Sequence, residues 1–321
     1  MTARWQKILA QGFVSSNALL RFLNLPAQCN ELDNIFAVRV PLGFAARMQT
    51  QNAHDPLLLQ VLASAQEQAT PVGFTLDPLQ ENTNMVAPGL MHKYYGRVLL
   101  TVTGVCAVNC RYCFRRNFPY AANNPGRAGW QQALDYIRLD TTIHEVILSG
   151  GDPLLATTKV LSELIIAIET IKHIKTLRVH TRIPIVLPER IDSEFLTFWQ
   201  QIRLNKVIVL HCNHAQEIDY TVQSVCKLLI QHGTTLLNQS VLLKGINDDI
   251  MTLSGLSHAL FAMHVLPYYL HLLDRVIGAA HFEVSDLAAQ QLYRNLQLQL
   301  PGYLVPKLVR EIPGIGCKVL Q

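Results

Sequence analysis

From Arg97 onward the chain repeats one texture: a short apolar run rich in β-branched residues, then a longer stretch patterned as an amphipathic helix, then another such run. The runs are Val98–Thr103, Glu145–Ser149, Thr176–His180, Lys206–His211, Thr235–Leu242 and His264–Leu270. A strand that returns through a helix pairs parallel with the next strand, and the crossover is right-handed. About six such units in succession predict an α/β fold, a partial or complete barrel rather than a sandwich. Before this region the signals differ. Asp55-Pro-Leu-Leu-Leu-Gln-Val-Leu-Ala carries apolar residues at helical spacing, and Asp77 to Pro88 has the Pro and Asn content of a linker. The expected organisation is a helical N-terminal region over 1–90 and a barrel over 91–321.

Composition narrows the function classes. Half of the 321 residues are hydrophobic and 16% are charged, enough to fill a large core, which excludes a disordered chain. Lys and Arg outnumber Asp and Glu by 27 to 23 and are spread along the chain, so no nucleic-acid partner is expected. No uninterrupted apolar stretch reaches the ~18 residues of a membrane span, so no membrane association is expected either. Seven cysteines without a secretory leader or a regular framework point to a cytoplasmic protein with free thiols.

Three of those cysteines are crowded together in Cys106-Ala-Val-Asn-Cys110-Arg-Tyr-Cys113, directly after the first strand run. Soft thiolates at this density suit an iron–sulfur centre. Zinc is the competing metal, but a structural zinc site takes four ligands in paired clusters, and no second CxxC or HxxxH lies at a suitable distance. Three thiolates leave one iron of a four-iron cluster without a protein ligand, and an open metal position can bind and activate a small molecule. The other strand runs also end in polar residues: Ser149-Gly150-Gly151-Asp152, His180-Thr-Arg182, His211 and Gln239-Ser240. Alone, a Gly-Gly-Asp is a turn and a lone His is satisfied structure. Together, at the strand ends where parallel barrels bind ligands, they mark one functional face.

These motifs resemble the radical S-adenosylmethionine enzymes, and more narrowly the lysine 2,3-aminomutase family. The resemblance rests on Arg97-Val-Leu-Leu-Thr-Val-Thr through Cys113-Phe-Arg-Arg, Leu148-Ser-Gly-Gly-Asp152, Thr181-Arg-Ile-Pro-Ile-Val-Leu-Pro-Glu-Arg190, Ser240 to Asp248, and Pro267-Tyr-Tyr-Leu. It runs from about His92 to Lys318 and implies a partial (β/α)6 TIM-like form of the α/β barrel. Pro301 to Glu311 is similar to the short branch that makes (R)-β-lysine for elongation factor P, and the extra zinc-binding cysteines of the free-lysine enzymes are absent from this sequence.

The resemblance implies three cofactors. Cys106, Cys110 and Cys113 would hold a 4Fe–4S cluster, and Ser149, Gly150, Gly151, Asp152, His211 and Gln239 would hold S-adenosylmethionine. Lys318 would anchor pyridoxal 5′-phosphate, with Lys93, Tyr94 and Arg97 near its phosphate. Arg115 would grip the carboxylate of the substrate, L-lysine, while Asp274 and Glu311 would take its ε-ammonium. The implied reaction moves an amino group between adjacent carbons, which needs an unactivated C–H bond broken by a radical and a carrier for the migrating nitrogen. Implied partners are elongation factor P, its lysyl ligase and an electron donor such as flavodoxin. A free-lysine aminomutase of metabolism and a non-catalytic metal-binding protein are the alternatives. Cys29, Cys212, Cys226 and Cys317 are expected to be dispensable for the cluster.

Overall fold

The structure, a computed structural model, describes residues 3–28, 36–120 and 126–321. Cys29 lies outside the described residues. Ten strands form one sheet in sequence order: β1 Met85–Ala87, β2 Leu90–Tyr94, β3 Arg97–Thr103, β4 Glu145–Gly150, β5 Thr176–Thr181, β6 Asn205–His211, β7 Thr234–Val241, β8 Leu266–His271, β9 Lys307–Arg310 and β10 Val319–Leu320. From β3 to β9 every neighbouring pair is parallel. All six expected runs are strands, β3 to β8, and the mixed α/β sheet is a partial barrel: among the described residues no pairing joins β1 to β10.

Four strands went beyond the sequence expectation. β1 and β2 run antiparallel into β3, so the supposed linker from Asp77 to Pro88 enters the sheet. These strands are short and weakly patterned, and their pairing to β3 rather than any local propensity makes them extended. β9 is a seventh parallel strand, and β10 folds back on it with Val319 opposite Arg310. The last expected run also begins later than His264, which turns with φ of +59°, so that the strand starts at Leu266.

Alternation decides which side chains face the sheet's hollow. In β3, Leu100 and Val102 are buried away from the cavity, whereas Arg97 and Leu99 line it. The outer helices begin on matched caps. Thr157, Asp192, Asp219, Asp249 and Ser285 each accept a hydrogen bond from a first-turn amide of the helix that follows. The N-terminal region contains the short helices Arg4–Ala10, Ser16–Phe22, Leu42–Ala45 and Pro56–Leu59, the last within the stretch of helical spacing at Asp55 to Ala63. Its apolar residues, among them Trp5, Leu19, Phe44 and Leu58, share one continuous core with barrel residues such as Leu177 and Ile208.

Candidate active site

One cavity of about 440 Å³ runs through the hollow of the sheet, and its lining holds every candidate site residue. The three cysteines close one end, on the loop after β3. Lys93, Tyr94, Arg97, Glu311 and Lys318 close the other, with Arg115, the β4 motif, His211, Gln239 and Asp274 between them.

At the cysteine end, burial and the mutual repulsion of the thiols push Cys113 up to about 12 and raise Cys106 as well. Without a metal these sulfurs stay protonated, and a bound metal would deprotonate them outright. Among the described residues no three His, Cys, Asp or Glu side chains stand close enough to hold a single metal ion. A cubic cluster imposes no such convergence, because each iron takes its own thiolate. Three half-buried thiols around one cavity therefore fit a multi-iron group.

The β4 motif supports this loop from behind. A Cβ at Gly151 would lie 2.5 Å from the Val105 carbonyl oxygen, and one at Gly150, where φ is +120°, 2.4 Å from that of Thr103. Glycine is needed at both positions because the backbone just before Cys106 presses against them. Asp152 is also engaged internally: its carboxylate accepts from Thr181 Oγ1 at 2.6 Å and from the Arg182 amide at 2.8 Å. Burial raises it to about 6, the hydrogen bonds opposing. His211 is half-buried and lowered to about 3 by desolvation, hence neutral, with Nε2 2.8 Å from the Tyr112 hydroxyl. Gln239 lines the cavity. The buried Nε2 of His180 has no hydrogen-bond partner among the described residues, as expected of a wall that meets a polar ligand.

At the far end the fold pairs Lys318 with Glu311, the acid that the resemblance assigns to the substrate ammonium. The β9–β10 pairing holds the C-terminal segment, and Glu311 receives Lys318 Nζ at 2.7 Å and Lys93 Nζ at 2.6 Å. Although burial works against it, the two ammonium groups hold the Glu311 carboxyl well below the usual range. Lys318 also stands over the Tyr269 ring at 5.7 Å. Arg97 lies over the Tyr94 ring at 4.9 Å, and among the described residues no carboxylate pairs with its guanidinium. A guanidinium without a carboxylate partner beside a lysine amine fits a phosphate-bearing aldehyde such as pyridoxal phosphate.

Two substrate candidates differ in how they are occupied. Among the described residues nothing donates a hydrogen bond to the Asp274 carboxyl; burial, reinforced by Glu311, lifts it to about 7 against the opposing Lys318 and Lys93. Arg115, in contrast, already forms a forked pair with Glu81, at 2.7 Å from Nε and 2.6 Å from Nη2, and Nη1 donates to Ser149 Oγ and the Gly150 carbonyl. Burial disfavours this cation, but Glu81 outweighs it. Sequence reasoning missed Glu81 because it sits in the presumed linker, where nothing local separates it from a solvated acid. It also left Arg182 out of the site, although that residue follows β5 at a strand end and its Nη1 lies 2.8 Å from Cys110 Sγ.

Residues 95–183 match the family described as a 4Fe–4S single cluster domain. A solved radical SAM methyltransferase from Sphaerobacter thermophilus matches 69% of this chain and 68% of its own at 16% identity, with a TM-score of 0.46. The L-lysine 2,3-aminomutase of Haemophilus influenzae is 48% identical over 98% of this chain and 95% of its own. That of Escherichia coli K12 is 49% identical over 97% and 92%. The protein of the same name from Clostridium subterminale is 34% identical over 86% of this chain and 66% of its own. Identity of this order across nearly the full length of both partners decides the matter: the chain belongs to the L-lysine 2,3-aminomutase family of radical S-adenosylmethionine enzymes.

Proposed function

We propose that this chain interconverts L-α-lysine and (R)-β-lysine with a 4Fe–4S cluster, S-adenosylmethionine and pyridoxal phosphate, and that its product serves the modification of elongation factor P. The observation that carries the reading is one cavity lined by the three cysteines, Arg115, Asp274, Glu311 and Lys318. The cofactors would supply a hydrogen-abstracting radical and a carrier for the migrating nitrogen.

The chain's own residues do the rest. Cys106, Cys110 and Cys113 hold the cluster at the cavity mouth, and Ser149, Gly150, Gly151, Asp152, His211 and Gln239 form the wall against which S-adenosylmethionine lies. Lys318 anchors pyridoxal phosphate, with Arg97, Tyr94 and Lys93 at its phosphate. Arg115 orients the substrate carboxylate. Asp274 and Glu311 select a chain that ends in an ammonium, since a neutral or shorter side chain would leave Asp274 unpaired.

The elongation factor role rests on the resemblance of Pro301 to Glu311 to the short branch and on the absence from this sequence of the extra zinc-binding cysteines. A small electron-transfer protein such as flavodoxin is the proposed reductant. Anaerobic reconstitution with iron, sulfide, pyridoxal phosphate, S-adenosylmethionine, dithionite and L-lysine should yield β-lysine and 5′-deoxyadenosine. The absence of both would refute the enzymatic reading. Deletion of the gene should remove the lysyl-type mass increment from elongation factor P, and an unchanged mass would point instead to free-lysine metabolism.

A further inference from the structure

Behind Cys110 lies a buried polar network that the binding roles leave unused. Arg182, 6% exposed, donates Nη1 to Cys110 Sγ at 2.8 Å and to the Tyr112 hydroxyl at 3.0 Å. Its Nη2 donates to Gln60 Oε1 at 2.7 Å and to Glu217 Oε2 at 2.8 Å. The opposite carboxylate oxygen of the fully buried Glu217 accepts from the backbone amides of Asn213 and His214 and from Gln60 Nε2. Asn213 Nδ2 ties the remaining acceptors together, reaching the Tyr112 hydroxyl at 2.7 Å and Gln60 Oε1 at 3.0 Å.

Among the described residues, the charged side chains joined in this network are Arg182 and Glu217. Arg182 touches the sulfur, and Glu217 stands directly behind it. His211, against Tyr112, is neutral. Arg47 reaches the layer only through the Glu217 carbonyl, and its guanidinium pairs with Asp219 at 3.6 Å. A buried ion pair seldom adds to stability over an apolar substitute, so its position against one particular thiolate calls for another reason.

We propose that Arg182 is a positioning residue that fixes the Cys110 thiolate and raises the reduction potential of the cluster, and that Glu217 limits the size of that effect. When the oxidised cluster accepts one electron, negative charge accumulates on its sulfurs. A donated N–H and an adjacent cation stabilise the reduced form more than the oxidised one, and a carboxylate behind the cation does the reverse. The two side chains are thus opposed levers on one potential. This inference rests on the cluster assignment in the proposed function.

The test is a dithionite titration of the reconstituted protein, followed by electron paramagnetic resonance. Arg182→Gln should lower the midpoint potential and Glu217→Gln should raise it. Arg182→Lys, which keeps the charge but loses the fork, should fall between wild type and Arg182→Gln. General disruption of the site would move both glutamine variants the same way, so shifts of one sign, or no shifts, would overturn the proposal. Should Arg182→Gln fail to retain iron, Glu217→Gln and Arg182→Lys carry the decision: a rise in the first and a fall in the second support the proposal, and anything else overturns it. A wild-type protein that shows no four-iron signal would sink the cluster assignment along with the proposal. A normal wild-type signal with unshifted variants would sink the role of Arg182 alone.

Discussion

Replacing Asp274 with asparagine should make the lysine-free protein more stable, and more so in mild alkali than in mild acid. Burial, with Glu311 and Glu81 acting in the same direction, lifts this carboxyl from 3.8 to about 7 against the opposing Lys318 and Lys93. The folded chain therefore keeps a proton that the unfolded chain releases. Stability from this group is full below its unfolded value and declines as pH rises to the folded one. At pH 8 the full gap of about three units applies, and at 1.36 kcal/mol per unit it costs about 4 kcal/mol. At pH 5 only about one unit applies, a cost of about 1.6 kcal/mol.

Unfolding entropy of about 2.1 cal/mol/K per residue, over 321 residues, gives ~0.67 kcal/mol/K. The Asp274→Asn variant should then melt about 6 °C higher than wild type at pH 8 and about 2 °C higher at pH 5. The cost of burying the amide is common to both conditions, and all other carboxyls cancel between the two proteins. The difference of about 4 °C is therefore the sharper quantity. Differential scanning calorimetry of both proteins without lysine reads it directly. A gain that is equal at the two pH values, or a loss at pH 8, would refute the argument that Asp274 is a buried acid awaiting a cation. The same variant should form no β-lysine, and lysine should raise the melting temperature of wild type but not of the variant.

Three other perturbations separate the halves of the site. Lys318→Ala should abolish the ~420 nm absorbance of lysine-bound pyridoxal while the iron–sulfur chromophore persists, and Cys110→Ser should do the reverse; absorption spectra with iron analysis check both. Gly151→Ala places a methyl 2.5 Å from the Val105 carbonyl oxygen, a contact with backbone that cannot rotate away, so reconstitution should incorporate less iron. Glu81→Gln leaves the Arg115 cation without its partner at one-tenth exposure. It should cost about 3 kcal/mol, ~5 °C in melting temperature, and raise the lysine KM as Arg115 loses its orientation. An unchanged KM would show that Arg115 does not depend on Glu81.

How much could be read in the chain depended on the range of the interaction. The six strands β3 to β8 are marked by runs of β-branched residues between helical periods, and each run lies within a few residues of sequence. The cysteine triplet is equally local. β1, β2 and β10 are not, because they are short segments made extended by partners elsewhere. Lys318 illustrates both cases: its resemblance to the pyridoxal lysine was legible, but its place in the cavity follows from β10 folding back on β9.

The sequence by itself determined the parallel α/β architecture, the metal chemistry and the cast of charged residues, since periodicity and ligand spacing are short-range properties. Only the tertiary structure decided how those charges are shared. Glu81 meets Arg115, Glu217 meets Arg182, and Glu311 bridges Lys93 and Lys318, while the Asp274 carboxyl receives no hydrogen bond from the described residues. The pairing of buried charges depends on which strands come together around the cavity and on what water that cavity excludes, and neither is written in any single stretch of chain.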